Sequence, residues 1–234
     1  MSDETSHYQE AGSSKGKAKD VVLWDETYYI SGAFVVFQVE DRLFRLPSYL
    51  FSNESEIFQG LFLLPQGNPT EIEIASTSDP IILPEERSQD FRSLVKALYP
   101  KTPSAQLYLS SSEWLSVLKL ATKWYFLRLR EIAINELERL HELTSVEKVT
   151  FGRQYKVSSW VVQGFQELVN RKTSISDEEA VELDSDNVTT AYKVYRAREG
   201  RMLRSFVSVE EEIERVFKGE LEAIRADQSG YNSA

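Results

Sequence analysis

Extended, β-branched and aromatic runs occupy only the first third or so of this chain, and helical periodicity takes over after them. That order predicts an α+β fold, because a doubly wound α/β sheet needs strands and helices to alternate along the sequence. Residues 21–24 (VVLW) and 27–29 (TYY) read as strand material, and Ser31-Gly32 marks a turn before the run Phe34-Val35-Val36-Phe37-Gln38-Val39. Glu40-Asp41 interrupts the run, after which Arg42-Leu43-Phe44-Arg45-Leu46 alternates polar and apolar side chains. The pair predicts a hairpin with one buried face, stopped at Pro47. A further short strand is expected within residues 80–84 (PIILP).

Helical spacing begins at residues 55–62, where Ile57, Phe58, Leu61 and Phe62 cluster on one side of a short helix. Residues 65–78, with Gly67 and Pro69, read as an exposed loop. A helix is expected over 88–99 with Phe91, Leu94, Val95 and Leu98 on one face, ended by Pro100 and Pro103. Residues 112–140 carry the strongest helical pattern and divide into two helices, with Ser112 as the expected cap. Thr144-Ser145-Val146-Glu147 and Ser208-Val209-Glu210-Glu211 both fit the Ser/Thr-x-x-Glu capping box. Between them, residues 157–170 form an apolar helix, and 174–186 leave room for a few acidic turns. The helix after Ser208 carries the stripe Val209, Ile213, Val216, Leu221 and Ile224, which predicts docking on the rest of the chain or on a partner helix.

Of the 234 residues, 41% are apolar and 27% charged, a core-forming composition with a formal charge of −10. Through Lys172 there are 19 basic against 23 acidic residues, and 8 against 14 thereafter, so the last quarter holds most of the acid excess. A broad basic footprint for nucleic acid or anionic lipid is therefore not expected. Residues 1–19 contain almost nothing to bury and are expected to form a disordered tail. No apolar stretch reaches the roughly 18–20 residues that span a bilayer, and the N-terminus lacks an apolar signal region. The expectation is a soluble intracellular protein, cytoplasmic or nuclear.

Absence of cysteine removes disulfides, thiolate nucleophiles and thiolate metal sites. Histidine occurs only at His7 and His141, neither beside a nucleophile motif nor at metal-ligand spacing. Gly12-Ser13-Ser14-Lys15-Gly16-Lys17-Ala18 has the wrong glycine spacing for a phosphate-binding loop and lacks the Ser or Thr after lysine that would hold magnesium. Asp184-Ser185-Asp186-Asn187 begins like a calcium loop, but Val188, Thr189 and Tyr195 occupy positions that need a ligand, a glycine and a bidentate glutamate. Paired carboxylates at Glu85-Glu86 and Glu210-Glu211-Glu212 read as solvated faces. Trp114, Trp124, Tyr125 and Phe126 read as core, and Lys119, Lys123, Arg128 and Arg130 as a mixed solvated face among Glu113, Glu131, Glu136 and Glu138. No catalytic residue, metal or cofactor is expected.

Residues 34–62, FVVFQVEDRLFRLPSYLFSNESEIFQGLF, resemble the opening of a BTB/POZ domain. That family's pattern is a β-hairpin with a Phe in its second strand, then a helical pair ending in Ser-x-x-Phe and a hydrophobic-Phe pair. Phe44 matches the strand Phe, Leu50 the leucine of the first helix, Ser55 and Phe58 the Ser-x-x-Phe, and Leu61-Phe62 the closing pair. Downstream, PIIL, SQDFRSLVKALYP and SEWLSVLKLATKWYFLRLREIAINEL are similar to the rest of the fold, and EWLSVLKLATKW with FGRQYKVSSWVVQGFQELV resembles the BTB proteins abundant in mushroom-forming fungi. Pro47 replaces the family's usual His, and Gly32 or Ala33 stands near the aspartate of the charged pocket in transcription-factor members. Where cullin-binding members carry a hydrophobic-x-Glu motif this chain has Gln66-Gly67-Asn68, which matches at neither end; Gln66 and Asn68 mark the candidate partner surface.

The resemblance, which covers about residues 22–199, implies a small mixed β-sheet flanked by helices over residues 20–142 and an all-helical extension over 143–199; the capping box and stripe after Ser208 place a C-terminal helix and tail over 200–234. The resemblance also implies a non-enzymatic interaction module that homodimerises by covering an apolar patch at its N-terminal helices. A cullin-type ubiquitin-ligase adaptor is the alternative. Nucleic acid and membrane are not among the expected partners.

Overall fold

Strand-forming residues and a two-residue turn build the sheet. In a computed structural model that describes residues 34–64, 79–100, 108–184, 189–204 and 206–231, strand β1 (Phe34–Val39) pairs antiparallel with β2 (Arg42–Pro47), Phe37 facing Phe44 and Val39 facing Arg42. Glu40 turns the chain at φ 54, a left-handed conformation unusual for a non-glycine residue. Its carboxylate accepts the Ser88 main-chain N–H at 3.0 Å, tying the hairpin tip to the next long helix. The short β3 (Ile81–Ile82) adds in parallel, giving the order β2-β1-β3 with β1 central and almost wholly buried. Phe44 and Leu46 face the core while Leu43 faces outward, as the alternation predicts. The sequence readings at 1–19, 21–29 and 65–78 lie outside the described residues, as do Gly12-Ala18, His7 and Pro103.

Ten helices follow among the described residues: α1 (Tyr49–Glu54), α2 (Glu56–Phe62), α3 (Ser88–Leu98), α4 (Ser111–Lys123), α5 (Leu127–Leu140), α6 (Ser145–Tyr155), α7 (Ser158–Asn170), α8 (Asp177–Leu183), α9 (Thr189–Leu203) and α10 (Val209–Ser229). The fold is mixed α+β. Both predicted capping boxes form, Thr144 with Glu147 and Ser208 with Glu211. The expected cap at Ser112 is corrected: Ser110 caps α4 in a reciprocal box with Glu113, and Ser112 lies inside the helix. Ser110 has a Glu three residues on, so the box lies two residues earlier than expected.

Two hydrophobic clusters organise these elements. The first gathers the sheet and α1 to α5 around Phe37, Phe51, Phe58, Phe91, Trp114, Trp124 and Phe126, and extends to Tyr155, Val157 and Trp160. The second joins α6 to α10 around Val149, Phe165, Val194, Ile213, Phe217 and Leu221. Helix α10 is docked, its Phe165–Phe217 ring pair stacked at 3.8 Å; the predicted stripe omitted Phe217 and included Val209 and Val216, which are only half-buried. Helix α9 buries small residues, Thr190, Val194, Ala197 and Gly200, and turns its large ones outward, which hid it from a periodicity reading.

The aromatic run at 124–126 is core only in part. Left-handed Tyr125, φ 54, breaks the helix so that Trp124 and Phe126 both bury, while Tyr125 itself is exposed and stacks on Tyr231 at 5.3 Å.

Candidate protein-interaction surface

Each residue carrying the family resemblance has a definite structural task. Ser55, extended at φ −142 between α1 and α2, accepts the Phe58 N–H at 3.3 Å as the helix cap and donates its hydroxyl to the Trp124 carbonyl at 2.6 Å. It thereby fastens α2 to the break between α4 and α5. Phe58 sits among the rings of Phe37, Phe51, Phe62, Trp124 and Phe126 at centroid distances of 5.0–5.9 Å. Phe44 packs edge-on against Phe91 at 4.9 Å. Leu50, Leu61 and Phe62 are half-buried, the last two against the same core. Gln66 and Asn68 lie outside the described residues.

With Phe58 turned inward, α2 presents the opposite side to solvent. Ile57 and Leu64, the latter just past the end of α2, are 42% and 58% exposed, with Gly60 and half-buried Leu61 between them in the chain. Gly60 has no positive φ, and a Cβ there would meet nothing within 4 Å. Among the described residues neither a turn nor packing requires this glycine, which costs about 1 kcal/mol against alanine in a helix. Beside this face a groove of about 520 Å³ runs between α2 and the start of α5, bordered by Glu56, Gln59, Tyr125 and Arg128. The arrangement offers apolar contact, a close backbone approach and both signs of charge, with no group poised for bond making. Sequence reading found Ile57 and Leu61 but not Gly60 or Leu64; an exposed glycine within an apolar helical run was the available signal.

Two of the carboxylates expected on solvated faces, Glu86 and Glu212, are buried, and so is Asp90. Glu86 and Asp90 lie between α3 and α4, with Lys119 Nζ at 3.0 Å from Glu86 and 3.1 Å from Asp90, and Lys123 Nζ at 2.6 Å from Glu86. Ser116 adds a hydrogen bond to Asp90 at 2.8 Å. Burial pushes both carboxyls up, but hydrogen bonds from Lys123 and Lys119 to Glu86, and from Ser116, Arg87 and Lys119 to Asp90, outweigh it and hold both below their ordinary values. Groups with depressed folded pKa values contribute stability above their unfolded values of about 4, and lose it as pH falls through the folded ones. The urea midpoint is therefore expected to decline below about pH 5, and a Glu86→Gln, Asp90→Asn double variant to decline less steeply. An unchanged slope in that variant would exclude this network as the source.

Glu212 is fully buried against Arg204, at 2.9 Å, and Arg215, rather than solvated with its neighbours. Arg130 is buried too: it donates to the Tyr155 and Lys156 carbonyls at 2.7 and 3.1 Å and lies under the Tyr231 ring at 4.6 Å. Lys119 and Lys123 likewise hold buried acids instead of decorating a mixed face. Asp184, first residue of the calcium-like run, accepts the Thr190 hydroxyl at 2.7 Å and its main-chain N–H; residues 185–188 lie outside the described ones. His141 ends α5 in a left-handed, exposed position. No group of three or more His, Asp or Glu residues is placed to hold a metal among the described residues.

No protein-family model matches the chain, and no curated protein matches it. Among the described residues no helix is long and apolar enough to cross a membrane.

Proposed function

We propose that this chain is a non-enzymatic, intracellular protein-interaction module of the BTB/POZ type that forms a homodimer and scaffolds a partner. The observation carrying the reading is the apolar surface of α2 and the residues just after it, where Ile57 and Leu64 are exposed, Leu61 is half-buried and no described residue packs against Gly60. A facing copy would use both features, covering the apolar side chains and approaching the Gly60 backbone closely. The mixed charges along the adjoining groove, where Arg128 lies 4.0 Å from Glu54, suit a self-complementary contact. The reading is also supported by Phe44, Ser55 and Phe58, the residues that match the family motif, each of which is packed or hydrogen-bonded inside the fold. The carboxylates with depressed pKa values in this half of the chain pair with lysine or arginine or cap a helix, which suits structural roles.

An Ile57→Asp, Leu64→Asp double variant tests it. Both side chains are exposed, so the far-ultraviolet circular dichroism should be unchanged while self-association weakens about 100-fold, as expected for central interface residues. A variant that assembles like the wild type would remove this face from the interface.

A further inference from the structure

In a chain of net charge −10, one cleft is lined by four cations. It has a volume of about 440 Å³, lies between the C-terminal end of α7 and the outer part of α9, and holds Arg171, Lys172, Arg198 and Arg201 with Met202 on its wall. Only Arg171 has a carboxylate partner, Glu179, among the described residues. Arg198 donates to the Leu168 carbonyl at 3.1 Å and the Thr173 carbonyl at 3.0 Å, and Arg201 to the Asn170 side-chain oxygen. These bonds orient the guanidinium groups and satisfy the end of α7, but carbonyl and amide oxygens carry no net charge to balance three cations.

Further observations point to a ligand. The Nε of Arg171 is buried and makes no hydrogen bond, an unused donor beside the cleft. Burial, and next the charge of Arg171, push the Arg198 guanidinium below its ordinary value. Met202 on the cleft wall, and Leu203 and Phe206 further along the chain, are each more than four-fifths exposed and offer apolar surface. Guanidinium groups favour the planar, bidentate geometry of carboxylates, and exposed apolar surface favours a neighbouring side chain over a bare small anion.

We propose that this cleft docks an acidic peptide segment of a partner protein, carboxylates entering among Lys172, Arg198 and Arg201 and an adjacent apolar side chain covering Met202, Leu203 and Phe206. The site lies on the helical half and does not depend on self-association through α2.

The test uses the full chain and a fluorescein-labelled peptide of aspartates and glutamates around a central Leu-Phe pair, read by anisotropy. Saturable binding is expected, weakened about tenfold or more by a Lys172→Glu, Arg201→Glu double variant, and several-fold when Ser-Ser replaces Leu-Phe in the peptide. Lys172 and Arg201 are exposed, so thermal unfolding and solution mass should match the wild type, which separates loss of docking from loss of fold or of assembly. Equal binding by the charge-reversed chain would overturn the proposal. So would inorganic phosphate competing as tightly as the peptide, with the Leu-Phe pair making no difference, since the cleft would then be a small-anion site.

Discussion

Phe58→Asp is expected to abolish cooperative folding, leaving a chain with no sharp thermal transition. Phe58 is 2% exposed and in ring contact with Phe37, Phe51, Phe62, Trp124 and Phe126. Removing a buried phenylalanine side chain costs about 3–5 kcal/mol through lost burial and the cavity left behind. A carboxylate at this position adds the penalty of an unpaired polar or charged group in an apolar site, so the total rivals the roughly 5–15 kcal/mol that stabilises a folded domain. Phe58→Leu keeps an apolar group of similar reach and should cost only about 1–2 kcal/mol, with the transition preserved. Thermal unfolding followed by circular dichroism checks both variants. A wild-type midpoint for the aspartate variant would show that Phe58 is not the centre of this core.

The second large effect belongs to the helical half. A Cβ at Gly164 would lie 2.6 Å from the Ser145 carbonyl oxygen and 2.7 Å from Val149 Cγ2, and one at Gly152 would lie 2.6 Å from Val161 Cγ2 and 3.0 Å from the Val157 carbonyl oxygen. Each helix of the α6–α7 pair thus contributes a glycine where the other passes closest. Main-chain atoms cannot rotate aside as a side-chain tip can, so Gly164→Val must push α6 and α7 apart. Overpacking of this kind costs about 2–3 kcal/mol, and at about 2–4 °C per kcal/mol for a chain of this size the midpoint should fall by several degrees. Gly219, on α10, is the internal control: a Cβ there meets nothing within 4 Å, so Gly219→Ala should stabilise by up to about 1 kcal/mol. A Gly164→Val protein as stable as the wild type would mean that α6 and α7 do not pack this closely.

How far the sequence revealed this molecule depended on whether a feature is local. Capping boxes at Thr144 and Ser208 involve residues three apart, and hairpin alternation over 42–46 needs only one strand's own pattern, so both were readable. Burial of charge was not. Glu86 reads as solvated until Lys119 and Lys123, on a later helix, are seen to meet it, and Arg130 until the Tyr155 carbonyl is found beside it. Glu212 was hidden because its companions Glu210 and Glu211 are indeed exposed, and the acid that turns inward is set by Arg204, Arg215 and the space left by Gly200. Helix α9 reversed the usual rule by burying small residues and exposing Tyr192, Tyr195, Met202 and Leu203. For the candidate site, the motif residues Ser55 and Phe58 were legible, whereas the open surroundings of Gly60 among the described residues were not.

Self-association is the central claim, and the absolute mass of the purified chain in solution tests it most directly. Light scattering after gel filtration, over a concentration series, should give a particle near twice 26.9 kDa that persists on dilution into the low micromolar range. A mass of 26.9 kDa at every concentration would contradict the homodimer and leave the α2 face to a different protein.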